Sequence, residues 1–453
     1  MAADDAPTPD PATGVPRDED ADAATVDTDH RPPRRHRWAR RLLMAAGVLV
    51  VVLVVAGALF LVLTRNPEPD DFYTPPDDLP DEPGTVLRSE PFDHGLPPGT
   101  RGWRVLYTST DEDGDPIAVS GLVLAPREAP DGPRPVLAWA HGTTGIARPC
   151  APSLTDRPLE GIPDLSGAIE RGWVVALTDY PGLGTPGPHP YLVGDSEGRA
   201  VLDSVRAAHE LDTGVDLTDD YVIWGHSQGG HAALFAGQLA ADHLPEHDLA
   251  GVAAIAPATR LADNLAAIEG SEIGNVLSIF AVEAWTRYYD GLDTDVLVPR
   301  ARRPAERIAA ACINQPSRFR LLVDAFTLPR TVTARPIADD PDWKGPLAAN
   351  APDPGGIAAP VLVAQGLADE VVAPEVTEGW VADRCAAGAP TDFRTYPGLD
   401  HLSVVDPAGD AALAWSAERL ADDGDGDGDG DEADSGDSGA TPSGCPPAAT
   451  VSR

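Results

Sequence analysis

The sequence predicts an α/β protein, a mostly parallel sheet flanked by helices and interrupted late in the chain by a helical cap. Three observations predict it. Short, continuous apolar runs at 136–140, 173–177, 221–226, 249–256 and 361–365 read as strands buried on both faces, because a strand with one wet face would alternate. Segments of helical character separate such runs, among them 199–211, 230–241 and 411–420. Between the sixth and seventh expected strands, residues 259–350 break the alternation, and there Ile273, Val276, Leu277, Phe280, Ala281, Ala284 and Trp285 recur at helical spacing.

From the amino terminus, residues 1–30 are rich in Asp, Ala and Pro and cannot bury enough surface to fold. Arg31, Arg34, Arg35, Arg37, Arg40 and Arg41 then precede an uncharged apolar run, 42–63. At about 1.5 Å per residue that run spans a hydrocarbon core of about 30 Å. Residues 1–41 are therefore expected to be a disordered cytoplasmic segment and 42–63 a membrane-spanning signal anchor, with everything after it extracytoplasmic. Secretion after cleavage is the competing reading; the run is long for a signal peptide, and no small-x-small site follows Leu63. The prolines of 64–84 suggest a stiff, extended spacer. Cys150, Cys312, Cys385 and Cys445 all follow the apolar run, as an oxidising compartment allows, and sequence alone permits three pairings. A formal charge of −39 argues against nucleic acid, because no basic face could offset that field.

Residues 103–110 and 117–124 alternate around a turn of Asp, Gly and Pro, the pattern of an antiparallel hairpin. The run 136–140 enters His141-Gly142-Thr143-Thr144-Gly145, a loop whose backbone N–H groups can face a carbonyl oxygen, with His141 as a structural hydrogen-bonder. The run 221–226 enters Gly225-His226-Ser227-Gln228-Gly229, a strand-to-helix elbow that lifts a serine hydroxyl out of the sheet. Glycines two residues either side avoid collision with neighbouring backbone in so tight a turn. Gly194-Asp195-Ser196-Glu197-Gly198 has the same spacing but no delivering strand, so Asp195 or Ser196 reads as the N-cap of helix 199–211.

Asp369 follows the strand 361–365 and His401 follows the strand-like segment 391–396, giving the chain order Ser227, Asp369, His401. In that arrangement the aspartate orients the histidine, which takes the serine proton. Glu370 and Asp400 are the poorer acids, one alternating away from Asp369 and the other adjoining the histidine it would orient. The apolar helix near 273–285 either buries its stripe on the core or lines an acyl-chain pocket. The Asp/Gly alternation of 422–437 approaches a calcium loop in spacing. The register from Asp423 places Asp434 where glutamate is required, so 421–453 is expected to be a solvated acidic tail.

The blocks H-G-T-T-G at 141–145, T-D-Y-P-G-L-G at 178–184, Y-L-V-G-D-S-E-G-R-A at 191–200, G-H-S-Q-G-G at 225–230, Q-G-x-x-D at 365–369 and D-H at 400–401 resemble the secretory lipase family. With the lead-in F-Y-T-P-P at 72–76, the likeness covers residues 71–420. It implies an α/β-hydrolase fold, with a core over 85–258 and 351–420 and a cap or lid over 259–350. It also implies hydrolysis of lipid esters without metal or organic cofactor. Residue by residue, it places the catalytic triad on Ser227, Asp369 and His401, and the oxyanion donors on the backbone of Gln228 and of the Thr143-Thr144 loop. Cys150 is expected to pair with Cys312, and Cys385 with Cys445. The apolar anchor departs from relatives described as secreted. The expected partners are a lipid or ester substrate and the membrane, with the chain itself a monomer. A short-chain esterase, acyltransferase or peptidase on this fold is the alternative, and a membrane-tethered binding module without catalysis is another.

Overall fold

A computed structural model describes residues 34–389, 391–422 and 441–443. Of the segment 1–41 expected to be disordered, residues 1–33 lie outside them, as do the Asp/Gly tail at 423–440 and Cys445, the expected partner of Cys385, whereas 34–41 form the first part of a helix. The chain divides into two units, one holding nearly all of α1 (Arg34–Leu63) and the other running from Val62 onward. In α1, Trp38–Leu63 is long and apolar enough to cross a membrane, with a mean hydropathy of 3.1 over an 18-residue stretch within it.

The second unit is built on one sheet. Its strands are β1 (Val86–Phe92), β2 (Thr100–Thr110), β3 (Pro116–Pro126), β4 (Arg134–Ala140), β5 (Val174–Thr178), β6 (Leu217–His226), β7 (Asp248–Ile255), β8 (Val361–Gly366), β9 (Thr391–Tyr396) and β10 (Thr441–Ser443). They lie in the order β1-β2-β3-β5-β4-β6-β7-β8-β9-β10. Pairings from β5 through β9 are parallel, and the outer pairings at both edges are antiparallel. The sequence pattern gives no sign of β1 or β10. β1 is exposed from Ser89 to Pro91 and carries no apolar period, and β10 is only three residues long.

The absence of alternation in the central strands has its cause in the helices. In β4, Val136, Ala138 and Ala140 share an apolar cluster with α3 (Gly194–Glu210) and α4 (Gln228–His243), while Leu137 and Trp139 share another with α2 (Leu165–Glu170) and the far helix α11 (Val405–Asp422). Each large side chain buried this way contributes about 1.5–3 kcal/mol. Between β7 and β8 run α5 (Leu261–Ala267), α6 (Glu272–Tyr288), α7 (Pro299–Ala309), α8 (Arg318–Ala325) and α9 (Pro341–Ala349), and α10 (Pro374–Ala386) follows β8. The inserted helices share an apolar cluster around Phe280, Trp285, Leu297 and Ile308, which Ile146, Tyr191 and Val193 join from the loops above the sheet. The Cys150–Cys312 disulfide crosses the same boundary, and the Ile313 N–H donates to the Thr144 carbonyl at 2.8 Å.

Two expectations are corrected. Helix α3 starts at Gly194 rather than Arg199, so its N-cap is Val193 and both Asp195 and Ser196 lie inside its first turn. The helix starts early because Gly194 and Gly198 let it press onto α4: a Cβ at Gly194 would sit 2.2 Å from the Phe235 ring. The proline-rich segment 64–84 is not a free spacer. Phe72 and Tyr73 are buried, the Arg104 guanidinium lies 4.2 Å and 4.8 Å from their ring centres, and Arg88 donates to the carbonyls of Asp71, Phe72 and Thr74. Two aromatic side chains outweigh the stiffness of the prolines around them.

Candidate active site

Strand β6 ends in the elbow, where Ser227 is held at φ 59 and ψ −117. That left-handed backbone costs a non-glycine residue on the order of 1–3 kcal/mol unless its surroundings enforce it. Here they do: the Ser227 N–H donates to the Ile255 carbonyl at 2.9 Å, and the Ser227 carbonyl accepts from His231 at 3.1 Å. A Cβ at Gly225 would lie 2.0 Å from the Gly229 carbonyl oxygen, and one at Gly229 would lie 1.9 Å from that of Ala140. Both glycines are therefore sterically obligatory.

Three residues from the carboxyl ends of β6, β8 and β9 meet at this point. The Ser227 hydroxyl lies 2.9 Å from His401 Nε2, and His401 Nδ1 lies 2.7 Å from Asp369 Oδ2. Asp369 is buried, and its carboxylate also accepts from the N–H groups of Val371 and Val372 at 2.8 and 2.9 Å and from Gln365 Nε2 at 3.1 Å. With Nδ1–H donated to that carboxylate, Nε2 is left to accept the serine proton. The rival acids stand apart. Glu370 is exposed, and Asp400 is taken up by the N–H groups of Ser403 and Leu402 and the Ser403 hydroxyl, which hold its carboxyl below the usual range.

The 141–145 loop runs alongside the elbow. A Cβ at Gly142 would fall 3.8 Å from that of Ser227. Thr143 Oγ1 pairs with the Tyr191 hydroxyl at 3.0 Å, and Thr144 is buried. His141 faces the carbonyls of Gly142 and Asp179 at 2.7 and 3.3 Å, and burial lowers its pKa.

Other side chains around the site carry no sequence signal of their role. His226 Nε2–H donates to the His401 carbonyl at 2.9 Å, and burial together with His401 pushes its pKa down to about 3, so it stays neutral. Glu197, fully buried, accepts from the Leu192 N–H at 2.9 Å and from Gln228 Nε2 at 2.6 Å. His231 and His189 approach it at 3.4 and 3.9 Å, and burial pushes His189 down to about 4. This cluster fixes Gln228 at the amino terminus of α4, beside the serine. Within the G-H-S-Q-G and G-D-S-E-G blocks, both His226 and Glu197 read merely as spacing residues.

Two cavities meet at Ser227. One, about 40 Å³, is apolar and runs into the cap between Leu192, Leu277, Ala281, Trp285 and Trp343. The other, about 380 Å³, opens outward past Thr143, Thr144, Ile273, Ile313 and Leu402. The stripe on α6 is thus divided: Val276, Ile279, Phe280 and Ala284 fill the cap interior, while Leu277, Ala281 and Trp285 also line the inner cavity. Among the described residues no three His, Cys, Asp or Glu side chains converge as metal ligands.

The chain is similar to proteins from several sources. Lipase A of Arthroderma benhamiae is 27% identical over 380 residues, 78% of this chain and 80% of that protein. The "probable inactive lipase" of Mycobacterium tuberculosis is 29% identical over 245 residues, 50% of this chain and 53% of that one. The closed-state structure of Candida antarctica lipase A superposes with a TM-score of 0.66 at 19% identity, covering 79% of this chain and 87% of that one, and so shares the α/β-hydrolase fold. The family model for secretory lipase matches residues 162–428, more than half of the sequence. The chain belongs to the secretory lipase family and is a carboxylic ester hydrolase.

Proposed function

We propose that the protein is a membrane-anchored serine lipase or esterase in which Ser227 is the nucleophile, His401 the general base and Asp369 its orienting acid. The observation that carries this reading is the pair of short contacts, 2.9 Å and 2.7 Å, ending at a serine that opens onto an apolar cavity. The serine oxygen attacks the ester carbonyl as His401 takes its proton, and Asp369 stabilises the imidazolium. The backbone N–H of Gln228 and an N–H of the Thr143-Thr144 loop hold the oxyanion, each donor contributing on the order of 10²–10³ in rate. His401 returns the proton to the leaving alcohol. Water, deprotonated by His401, then cleaves the acyl-enzyme. The acyl chain lies in the cavity under α6, so 259–350 acts as the cap over the core of 85–258 and 351–420. Segment 42–63 anchors the enzyme, with the catalytic unit on the outer side.

A fluorophosphonate probe tests the assignment. Wild-type protein should carry the label on the peptide holding Ser227, and Ser227→Ala should lose both label and ester hydrolysis. Unlabelled wild-type protein would leave a binding module without catalysis, the state that the name of the Mycobacterium tuberculosis relative describes.

A further inference from the structure

Helix α8 carries an apolar stripe turned away from the protein. Phe319, Leu322, Val323 and Phe326 stand at i, i+3, i+4 and i+7 and are 49, 51, 55 and 78% exposed, whereas Leu321 on the opposite side is buried. A contiguous face of this kind on a soluble surface marks an interaction site.

Charge and chain length say what covers it. Residues 297–335 contain eight arginines against only Glu306 and Asp324, in a chain of formal charge −39, and of these Arg302, Arg307 and Arg335 are paired with Asp295, Asp324 and Asp340. Arg300, Arg303, Arg318 and Arg330 are exposed. A second copy of the chain would bring this positive segment against itself, whereas anionic phosphates would neutralise it. The leash is also short. Asn66 accepts from the N–H of Ser317, the N-cap of α8, at 3.1 Å and donates to Cys312 Sγ at 3.0 Å. Asn66 lies three positions on from Leu63, the last residue of the apolar run, a span of at most about 10 Å.

We propose that α8 docks on the anionic lipid bilayer in which the chain is anchored, its apolar stripe entering the boundary between headgroups and acyl chains and its arginines meeting lipid phosphates. An apolar face flanked by arginine is the composition that lies in such an interface. The docking serves the site. Ile313 and Asn314, in the loop between Cys312 and Ser317, line the outward cavity at Ser227, so an ester can pass from lipid to the opening without crossing water.

The proposal rests on reading 42–63 as a membrane anchor, and the experiment separates the two. The full chain, with Phe326→p-benzoylphenylalanine at the exposed end of the stripe, is reconstituted into phosphatidylcholine–phosphatidylglycerol vesicles, washed with alkaline carbonate, irradiated and digested. Expected is a phospholipid adduct on the peptide carrying position 326. The adduct should fall roughly fivefold for each arginine neutralised in Arg318→Gln and Arg320→Gln, and should fall likewise in phosphatidylcholine alone. The same amino acid at Glu128, an exposed position before β4 at the other end of the sheet, should give none. A chain retained in the wash without a lipid adduct, an adduct to a second copy, or equal adducts at 326 and 128 would overturn the docking. Loss of the chain in the wash would overturn the anchor, and the docking with it.

Discussion

Replacing Cys150 and Cys312 together by alanine measures how much of the fold depends on the bond between cap and core. That bond joins residues 162 apart in sequence. Chain-entropy scaling for a loop of this length gives about 5 kcal/mol of restriction on the unfolded state. Typical domain stability is about 5–15 kcal/mol, so the loss would consume at least a third of it. The native contacts on either side survive the change: Ile313 still reaches the Thr144 carbonyl, and Asn66 still holds Ser317. Urea unfolding of the chain from Thr64 onward, oxidised wild type against the double variant, reads the effect. The midpoint should fall and the slope m should rise, because an unfolded chain freed of so long a loop exposes more surface. A loss under about 1 kcal/mol would mean that the residual denatured state is already compact. A large loss with an unchanged slope would mean that packing at the sulfurs, not loop closure, carries the stability. Either result refutes the reasoning.

Asp369→Asn should lower kcat by about 10⁴ with little change in KM, since the amide keeps the shape of the site but loses the charge that stabilises the imidazolium; steady-state hydrolysis of a short water-soluble ester checks this. Ala281→Trp, filling the inner cavity beneath α6, should lower kcat/KM on long-chain p-nitrophenyl esters by about 100-fold and leave the acetate ester nearly unchanged, as a chain-length series would read. Stability should depend on pH through His226 and His189, whose pKa values burial holds at about 3 and about 4. The unfolded chain binds these protons first, so their contribution is complete above about pH 6.5 and is lost as the pH falls through the folded values, at about 1.4 kcal/mol per pH unit for each proton. Between pH 4.5 and 6 the urea-derived stability of wild type should therefore fall more steeply than that of His226→Gln by that amount, about 1.4 kcal/mol per pH unit; parallel slopes would sink the argument.

The parts of the fold legible in the sequence are those where one physical demand dominates. Strands β4 to β8 are buried on both faces and read as unbroken apolar runs, and the elbow glycines are forced by backbone contacts near 2 Å. Ser227, Asp369 and His401 each follow a strand, so chain order and strand ends point to the three side chains that the structure brings together. Where two demands compete, the pattern misleads. The prolines of 64–84 signal an extended spacer, yet Phe72 and Tyr73 dock because Arg104 and Arg88 receive them from strands β2 and β1. The start of α3 is set by a glycine fit against Phe235, a contact between helices that no local capping rule can see. Glu197 and His226 matter through partners 31 and 175 residues away, and nothing near them in sequence announces those partners.

The loop 311–317 concentrates several constraints within a few residues. The disulfide holds Cys312, the Thr144 carbonyl holds Ile313, the Pro149 carbonyl accepts from Gln315, and Asn66 holds Ser317. This side of the cap is therefore fixed to the core, to the loop beside the nucleophile and to the segment leaving the apolar run. The inner cavity, at about 40 Å³, holds only a few water-sized spheres, so on the proposed reading a long acyl chain must displace a wall. The opposite wall is formed by Leu277, Ala281 and Trp285 of α6, with Trp285 buried and donating its Nε1–H to the Tyr191 carbonyl at 2.7 Å. There the approach from α5 passes Gly270 at φ 77, and Ser271 caps the helix through the Gly274 N–H at 2.9 Å. On the proposed reading, chain length is therefore sensed along α6, while the loop 311–317 holds the outer opening next to Ser227.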